Sequence, residues 1–343
     1  MAKKKDKKKA QKIKWEALPG DVLRVDEDFD LASFDRGSNP GWPGDKDQAE
    51  EFMAYRGRLL SELQERYFAN AKEGDERKVL LIVQGLDTAG KGGIARHVLG
   101  MVDPQGVQLA SFGVPTEEEA AHDFLWRIER KLPVAGKIGL FDRSHYEAVL
   151  VERVDKLTPK KEWSQRYDII NEWEKKLVEE EGFTLIKVAL MPSKAEQGVR
   201  LAERLARRDK WWKYNPNDID TRAKWDDYQE AYQDVFTKTS TDWAPWYVIP
   251  ADKKWYARLA VTELLVEALI GLDQHWPVKD WNYQVEKKRL LKTMEHGTKM
   301  LVREELEGRR AQVAAESKAF RKEVEAAKEG KISKAFRKLA VEE

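Results

Sequence analysis

Short apolar runs alternate with longer segments of helical periodicity through most of the chain. Runs rich in Val, Leu, Ile and Phe, bounded by glycine, proline or charged residues, are typical of buried strands. We predict strands for five such runs, at 79–83, 107–112, 137–141, 184–190 and 246–249.

Apolar residues between these runs recur at spacings of three and four, which predicts helices that bury one face. The predicted helices are Asp45–Lys72, Ile94–Met101, Thr116–Lys131, Pro159–Glu180, Lys194–Arg208 and Thr221–Lys238. Strands that alternate with helices of this length indicate an α/β fold, a parallel sheet sandwiched by helices. Ligands of such sheets bind at the carboxyl ends of the strands.

The composition of the chain excludes several kinds of protein and of chemistry. The 343 residues include 62 Lys and Arg against 61 Asp and Glu, and no cysteine, so disulfides and thiolate chemistry are excluded. The basic N-terminus has no apolar run after it, and the most apolar helical stretch, Leu259 to Leu272, is interrupted by Glu263 and Glu267. We therefore expect a soluble cytoplasmic protein without a membrane or nucleic-acid partner.

Positive charge is concentrated in two places despite the balanced total. Residues 1–14 hold eight lysines and one aspartate, and residues 200–213 are also strongly basic. The lysine run is read either as a solvated tail or as a segment that attracts a polyanion.

The glycine-rich segment after the first predicted strand carries the chemistry. Gly85, Gly90 and Lys91 have the spacing G-x-x-x-x-G-K of a P-loop, in which backbone N–H groups and the lysine hold phosphates at a helix N-terminus. The next residue, where a P-loop has Ser or Thr for Mg²⁺, is Gly92. Asp87 within the loop is therefore the candidate metal ligand, although glycine-rich turns also occur for packing alone.

A second candidate phosphate element is the strand that ends at Asp142. An acidic residue at the carboxyl end of a buried strand can hold Mg²⁺, as in a Walker B site. Arg143 follows directly and could pair with a phosphate oxygen. The five histidines show no metal-ligand spacing, so no zinc site is assigned. Phosphoryl transfer by positioning and charge neutralisation is the chemistry that fits these residues.

The third element is the basic helix that begins near Lys194. Arg200, Arg204, and Arg207 or Arg208 recur at spacings of three and four, which predicts one cationic stripe that could close over a phosphate chain. The alternative is a solvated helix face whose arginines pair with nearby acids. Trp211 and Trp212 are interpreted as packing residues.

Three regions are expected along the chain. Residues 1–40 form a basic flexible tail and an arm, and residues 41–283 form the catalytic domain with a lid at about 192–220. Residues 284–343 are predicted to be a charged helical extension outside the catalytic core. The hexapeptide at 317–322, Ser-Lys-Ala-Phe-Arg-Lys, recurs at 333–338 within this extension.

The segments 85–93, 141–147 and 200–213 together resemble the polyphosphate kinase 2 family, whose members move phosphate between inorganic polyphosphate and a nucleotide. The similarity runs from about residue 40 to 280 and includes 114–119 and 244–252. It implies a P-loop kinase-like fold in which Asp87 and Asp142 hold Mg²⁺, with Mn²⁺ as an alternative. It also implies phosphate contacts from Lys91 and Arg143.

The same resemblance extends to the lid and to substrate choice. It makes Arg204 and Arg208 lid residues, and His145 with Glu147 is similar to the class III pattern, whose members accept AMP and ADP. A homo-oligomer, dimer or tetramer, is expected. We further expect phosphate or nucleotide binding by Gly85, Ala89, Gly90, Gly92, Gly93, Arg96 and Lys213.

Two other functions remain open from the residues. Thymidylate-kinase-like enzymes also combine a P-loop, an Asp-Arg element and an Arg-rich lid, although Gly92 argues against an ATP-dependent kinase of that kind. A non-catalytic polyanion-binding protein would use the lysine-rich ends, but it would not need Asp87, Lys91 and Asp142 together.

Overall fold

The sheet has five parallel strands, as the apolar runs predict. The computed structural model describes residues 13–342, so the expected flexible tail at 1–12 lies outside the described residues. The strands stand in the order β2-β3-β1-β4-β5, and every neighbouring pair is parallel. Their bounds are β1 Lys78–Gln84, β2 Val107–Ser111, β3 Ile138–Asp142, β4 Phe183–Met191 and β5 Trp246–Pro250. All five predicted strands are confirmed.

Helices cover both faces of the sheet. The longer ones are α1 Lys46–Ala71, α2 Lys91–His97, α3 Arg166–Glu179, α4 Lys194–Ala206, α5 Asn217–Ala223, α6 Trp225–Thr239, α7 Lys254–Gly271, α8 Tyr283–Lys292, α9 His296–Lys328 and α10 Lys334–Glu342. Single turns of α-helix lie at Pro19–Val22, Glu117–Ala120, Trp126–Glu129, Val151–Val154 and Lys160–Trp163. Short 3₁₀ turns lie at Leu99–Met101, Pro104–Gly106, His145–Ala148 and Arg208–Lys213.

The two faces bury separate apolar clusters. Residues of α1 and α7, such as Leu59 and Leu265, pack on one face of the sheet. Residues of α3 and α6, such as Ile170 and Phe236, pack on the other. Strand side chains that point to either face, such as Leu81 and Ile82, are fully buried, as expected for a parallel sheet covered on both sides.

Local signals explain where several helices begin and where two predicted helices break. Asp45 caps α1 in a capping box with Gln48. The predicted helix at 116–131 is instead two short turns, because the Asp123 carboxylate accepts from Leu125 N and starts a new turn. The predicted helix at 159–180 is likewise interrupted before Arg166, which α3 places in contact with the Ala148 carbonyl.

The segment before α1 is part of the core. Trp15 and Trp42 are each 2% exposed and contact each other edge to face, with ring centroids 5.2 Å apart. Val25 N donates to Trp246 O and Val248 N donates to Leu23 O, so this arm runs against the edge of β5. An arm was expected here, but the extent of its burial was not.

The end of the chain also packs on the core, which corrects the expectation that 284–343 lies outside it. The helical character of this region is confirmed. However, Ala319, Ala327, Ile332 and Phe336 join the cluster formed by α1 and α7. The repeated hexapeptide contributes its phenylalanine twice, because Phe320 packs beside the same cluster. Only the earlier part of the extension, with Leu301 at 68% exposed, stands away from the core.

The buried ion cluster of Arg56, Glu263 and Glu323 joins this extension to the core. Arg56 donates to Glu263 Oε2 at 2.8 Å and to Glu323 Oε1 at 2.9 Å, and all three side chains are fully buried. Ser333 N donates to the other oxygen of Glu323 at 2.6 Å. Removal of one partner would leave a buried charge without compensation, which is costly. Glu323 therefore ties the last helices to α1 and α7.

Candidate active site

The glycine-rich loop between β1 and α2 has the geometry of a phosphate-binding turn. Gly85 has φ of +148°, and a Cβ there would lie 2.7 Å from Leu190 O, so a larger residue does not fit. Gly90, at φ of +117°, stands directly before the first residue of α2. The loop thus turns tightly and presents the N-terminus of α2 toward the carboxyl end of the sheet.

Lys91 lies back over this loop. Its Nζ donates to Gly85 O at 2.6 Å and Leu86 O at 3.4 Å. Burial lowers the pKa of Lys91, and so does Arg143, while the carboxylates of Asp142 and Asp87 oppose this shift. Two backbone carbonyl oxygens hold the ammonium group where the loop would receive phosphate oxygens.

The carboxyl end of β3 places a carboxylate, that of Asp142, and a cation, that of Arg143, beside the loop. Asp142 pairs in register with Val83 of β1, and Arg143 N donates to Val83 O at 3.1 Å. Arg143 has φ of +64°, which is unusual for a residue other than glycine. Its guanidinium donates to Asp87 Oδ1 at 3.0 Å. Although burial opposes it, the charges of Glu147 and Asp87 raise the pKa of Arg143.

Glu147 lies partly buried at the base of the same cleft. Burial raises the pKa of its carboxyl group, and the cations Arg143 and Lys91 counteract this rise. With its amide oriented to satisfy its neighbours, Gln84 donates to Glu147 Oε1 at 2.9 Å and accepts from Ser144 Oγ at 3.0 Å. Glu147 therefore contributes charge to the site while β1 fixes its position.

These elements open onto one cleft of about 900 Å³ at the carboxyl end of the sheet. Thirteen of the site residues expected from the sequence line it: Gly85, Asp87, Ala89, Gly90, Lys91, Gly92, Gly93, Arg96, Asp142, Arg143, Glu147, Arg204 and Lys213. The remaining one, Arg208, is exposed, lies 5.6 Å from the ring centroid of Trp211 and does not line the cleft.

The basic segment after β4 forms no continuous cationic stripe, contrary to the sequence prediction. Helix α4 ends at Ala206, and Arg207 is extended, with φ of −109° and ψ of 110°. Trp211 Nε1 donates to Leu205 O at 2.8 Å and so satisfies a carbonyl in the last turn of α4. The arginines on either side of this end therefore point in different directions.

Arg200 holds the backbone of the glycine-rich loop through hydrogen bonds. It is 4% exposed, and its Nη1 donates to Thr88 O at 3.0 Å and Ala89 O at 3.1 Å. Its Nη2 donates to the carbonyls of Ala251 and Asp252. Thr88 itself has φ of +67°, so Arg200 stabilises the strained part of the loop.

Arg204, in the last turn of α4, contacts the segment that follows this helix. Its Nη1 donates to Asp218 Oδ2 at 3.1 Å and to Lys213 O at 3.0 Å. Burial raises the pKa of Asp218, and the Asp87 carboxylate adds to the rise. Asp218 therefore joins α4 to the segment that follows it, and its carboxyl group is influenced by the charge of Asp87 in the loop.

Sequence reasoning missed one cationic wall and two aromatic features of the cleft. Lys254 and Arg258, on the first turns of α7, line the cleft beside Arg96. Trp212 also lines it and is 78% exposed, so its interpretation as a packing residue is wrong, whereas Trp211 contacts the end of α4. Tyr228 and Tyr232 of α6 close its other side. Only long-range packing brings these residues together, and no local motif marks them.

The donor set fits a hard divalent cation that shares its ligands with a substrate. Asp87 and Asp142 offer carboxylate oxygens, which Mg²⁺ prefers, and phosphate oxygens with water would complete an octahedral set. Within residues 13–342 there is no group of three or more His, Cys, Asp or Glu suited to a dedicated metal centre. The residues present therefore fit a metal that arrives with phosphate.

Among the helices of the described part of the chain, none combines the length and apolar character needed to cross a membrane.

Comparisons with known proteins agree with this geometry. The family model described as Polyphosphate kinase 2 (PPK2) matches residues 44–275. The chain is 46% identical over 255 residues to an AMP/ADP-polyphosphate phosphotransferase of Meiothermus ruber, covering 74% of this chain and 94% of the relative. It is 38% identical over 244 residues to an ADP-polyphosphate phosphotransferase of Rhodopseudomonas palustris, covering 68% of this chain and 83% of the relative.

A solved structure shows the same fold. The crystal structure of Polyphosphate Kinase 2 from Arthrobacter aurescens TC1 matches with a TM-score of 0.80 and 48% sequence identity. The match covers 82% of this chain and 99% of that one.

Proposed function

The chain belongs to the polyphosphate kinase 2 family, and from this premise we propose that it transfers the terminal phosphate of inorganic polyphosphate to AMP and ADP, reversibly, with Mg²⁺. The bond from the terminal phosphorus to its bridging oxygen breaks, and a new bond forms to a phosphate oxygen of the nucleotide. ADP thereby becomes ATP, AMP becomes ADP, and the polyphosphate is one phosphate shorter.

The single observation that carries this proposal is the excess of cations on the α7 side of the cleft. Arg96, Lys254 and Arg258 line this side together. Burial lowers the pKa of Lys254, and the neighbouring Arg200 lowers it further. Burial lowers the pKa of Arg258, and Arg96 contributes in the same direction. Cations that oppose one another's charge in this way are stabilised by a polyanion that runs along the wall.

The loop and its cations would hold the phosphate that is transferred. Backbone N–H groups at the start of α2 would donate to a bound phosphate, and Lys91 would exchange its two carbonyl acceptors for phosphate oxygens. Arg143 can likewise turn from Asp87 to a phosphate oxygen. Fixed donors of this kind stabilise charge that develops during transfer without reorganising at that moment.

Asp87 and Asp142 are the proposed ligands of Mg²⁺, with Mn²⁺ as an alternative. The metal, when bound, neutralises charge on the transferred phosphate. Two carboxylates replace the hydroxyl that a P-loop usually supplies, because Gly92 follows Lys91. When Arg143 engages phosphate, the Asp87 carboxylate is released for the cation.

The acceptor range is proposed from the relatives and from Glu147. One relative is named for both AMP and ADP, and the other for ADP. Glu147 adds a carboxylate to the cleft in addition to those of Asp87 and Asp142, and it interacts with the charge of Arg143. We propose that this charge helps to hold AMP, the shorter acceptor, in line with the donor phosphate. Assembly into a homo-oligomer, dimer or tetramer, stays a prediction that light scattering would check.

One assay tests the function. Purified protein is incubated with ADP, Mg²⁺ and long-chain polyphosphate, and ATP is measured by luminescence; AMP replaces ADP in a parallel series. We expect ATP from ADP, and ADP from AMP, only when polyphosphate is present. ADP formed from AMP with ATP as the required donor would indicate a nucleoside monophosphate kinase instead. Polyphosphate binding without turnover would indicate a polyanion-binding protein.

A further inference from the structure

A buried polar network lies directly beneath the segment that carries Asp142, Arg143 and Glu147. Glu174 of α3 and Lys187 of β4 form its centre, with Lys187 Nζ 2.6 Å from Glu174 Oε2 and both side chains fully buried. The other oxygen of Glu174 accepts from the Tyr146 hydroxyl at 2.8 Å and from His145 Nε2 at 3.2 Å. Nothing in the proposed chemistry uses any of these four groups.

Lys187 makes further contacts within this network. Lys187 Nζ also donates to the Tyr146 hydroxyl at 2.9 Å and to Thr239 O at 2.7 Å. Burial acts to raise the pKa of the Glu174 carboxyl, but the charges and hydrogen bonds of Lys187 and His145 together lower it. The carboxylate therefore keeps its charge and accepts from three donors.

The segment 142–147 alternates between the cleft and this network. Asp142, Arg143 and Glu147 line the cleft, whereas the intervening residues are turned inward and are at most 2% exposed. The inward residues are Ser144, His145 and Tyr146. Glu174 therefore fixes two consecutive residues that stand directly between Arg143 and Glu147.

The backbone of this segment needs such support. Arg143 has φ of +64°, a left-handed conformation that costs free energy in a residue with a side chain. Strain of this kind persists only where the surroundings hold it. Upstream, the hydrogen bond from Arg143 N to Val83 O fixes the turn, and downstream Glu174 holds His145 and Tyr146.

Net stability is a weak reason for this arrangement. Replacing a buried ion pair with apolar residues is often neutral or stabilising, because removing two charges from water costs about as much as their attraction returns. A better explanation is that such a network holds the groups that it contacts in fixed orientations. The groups contacted here flank two cleft residues.

We propose that Glu174, together with Lys187 and Tyr146, is a positioning element that sets the places of Arg143 and Glu147 in the cleft. The inference rests on the proposed function for its readout. A small displacement of groups that align phosphate lowers the rate of transfer more than it lowers the affinity for substrate. Loss of the network should therefore reduce kcat and leave KM nearly unchanged.

Two variants test the proposal. Glu174→Gln keeps the shape of the side chain but removes the charge that holds Lys187, and Tyr146→Phe removes only the hydroxyl that bridges the pair. We expect kcat for ADP with polyphosphate to fall about tenfold to a hundredfold in Glu174→Gln, with KM for both substrates within about twofold. Tyr146→Phe should show a smaller loss in the same parameter.

Glu323→Gln is the matched control, because Glu323 is also a fully buried carboxylate that pairs with a cation, but it lies in the C-terminal extension. It should lower the melting temperature without changing kcat per folded site. If Glu174→Gln does not fold, Tyr146→Phe decides the question alone.

The failures are distinguishable. A parent protein that makes no ATP from ADP and polyphosphate overturns the proposed function. An active parent whose folded Glu174→Gln and Tyr146→Phe variants keep the parental kcat overturns the positioning role. An equal loss of kcat in Glu323→Gln also overturns it, because general loosening of the fold would then explain the effect.

Discussion

Arg143 and Asp87 form an ion pair across the mouth of the phosphate-binding loop, with 3.0 Å between guanidinium nitrogen and carboxylate oxygen. The proposed phosphate ligand and the proposed metal ligand thus neutralise each other in this structure. Arrival of a metal with a phosphate chain would replace one ion pair by two, because Arg143 then binds phosphate and Asp87 binds the cation. Neither side chain leaves a charge without a partner in either state.

The first prediction concerns the two proposed metal ligands. Asp87→Asn and Asp142→Asn should each lower the rate of ATP formation on the order of a thousandfold or more, because each removes a carboxylate from the proposed Mg²⁺ site, which would neutralise charge during transfer. Asp242→Asn is the matched control, since this exposed carboxylate pairs with Arg24 away from the cleft. Turnover near that of the parent in both cleft variants would contradict the assignment.

The second prediction separates three arginines of the lid region. Arg204→Ala should raise KM for polyphosphate several-fold, and the effect should shrink with added salt because it is electrostatic. Arg208→Ala should show a smaller effect of the same kind, since Arg208 is exposed and does not line the cleft. Arg207→Ala should show none, because Arg207 does not line the cleft and already pairs with Glu203 and Asp209. Unfolded Arg204→Ala and Arg208→Ala proteins would favour a structural role instead.

The third prediction is that Glu147 sets the acceptor range. Glu147→Asn should lower kcat/KM for AMP more than for ADP, because an amide cannot supply the charge that holds the shorter acceptor. Glu147→Gln should behave similarly, which would separate the loss of charge from the loss of length. Steady-state kinetics with both acceptors provide the ratio. An unchanged ratio would leave Glu147 without a role in selectivity.

The fourth prediction is a pH dependence of stability that originates at Glu267. Burial and the nearby Glu263 raise the pKa of Glu267 to about 7, from an ordinary value of 4.5. The folded state therefore binds more protons than the unfolded state between these values, so stability falls as pH rises from 4.5 to 7 and then levels off. The total effect is at most about 3 kcal/mol.

Glu267→Gln checks this directly. The amide oxygen can still accept from Gly20 N, and no charge forms at high pH. We expect the variant to be more stable than the parent at pH 8 and similar to it near pH 4.5, as measured by denaturant unfolding. Parallel stability curves for the two proteins would contradict the assignment.

The fifth prediction concerns the C-terminal extension. A chain that ends at Tyr283 should lose stability on the order of 3 kcal/mol or more, because Arg56 loses a buried partner and the α1–α7 cluster loses apolar contacts. Activity per folded molecule should be kept, since the extension does not line the cleft. Phe336→Ala should destabilise by about 3 kcal/mol, whereas Leu301→Ala, at a 68% exposed position, should be nearly neutral. A truncated protein as stable as the parent would contradict this.

Local sequence patterns predict most of the fold and most of the residues of the candidate site. Apolar runs such as Val79–Val83 and glycine spacing such as that of Gly85 and Gly90 reflect constraints within a few residues, and the structure confirms the strands and places these glycines at the cleft. The cationic wall could not be found in this way, because Arg96 and Arg258 are distant in sequence and meet only through packing. Taken singly, each of these arginines is typical of an exposed, charged helix face, so residue type alone does not indicate a shared binding surface.

The extension was misjudged for a similar reason. Glu323 reads as one of many charges on a polar helix, and only Arg56, buried 267 residues earlier in the chain, gives it an interior partner. The end of α4 was misplaced because Trp211, beyond the helix, satisfies one of its last carbonyls. The spacing of residues within a helix gives no information about a capping residue that lies beyond its end.

The contact between Trp15 N and Gly330 O, at 3.0 Å, has a consequence for synthesis on the ribosome. The cluster around α1 contains residues from both ends of the described chain, from Trp15 to Phe336. While the nascent polypeptide emerges, the sheet and its P-loop can form, but Arg56 has no Glu323 until nearly the whole chain has been translated. The partly made protein would therefore expose one face of α1 and α7 to chaperones, and closure of that face would be a late, post-translational step.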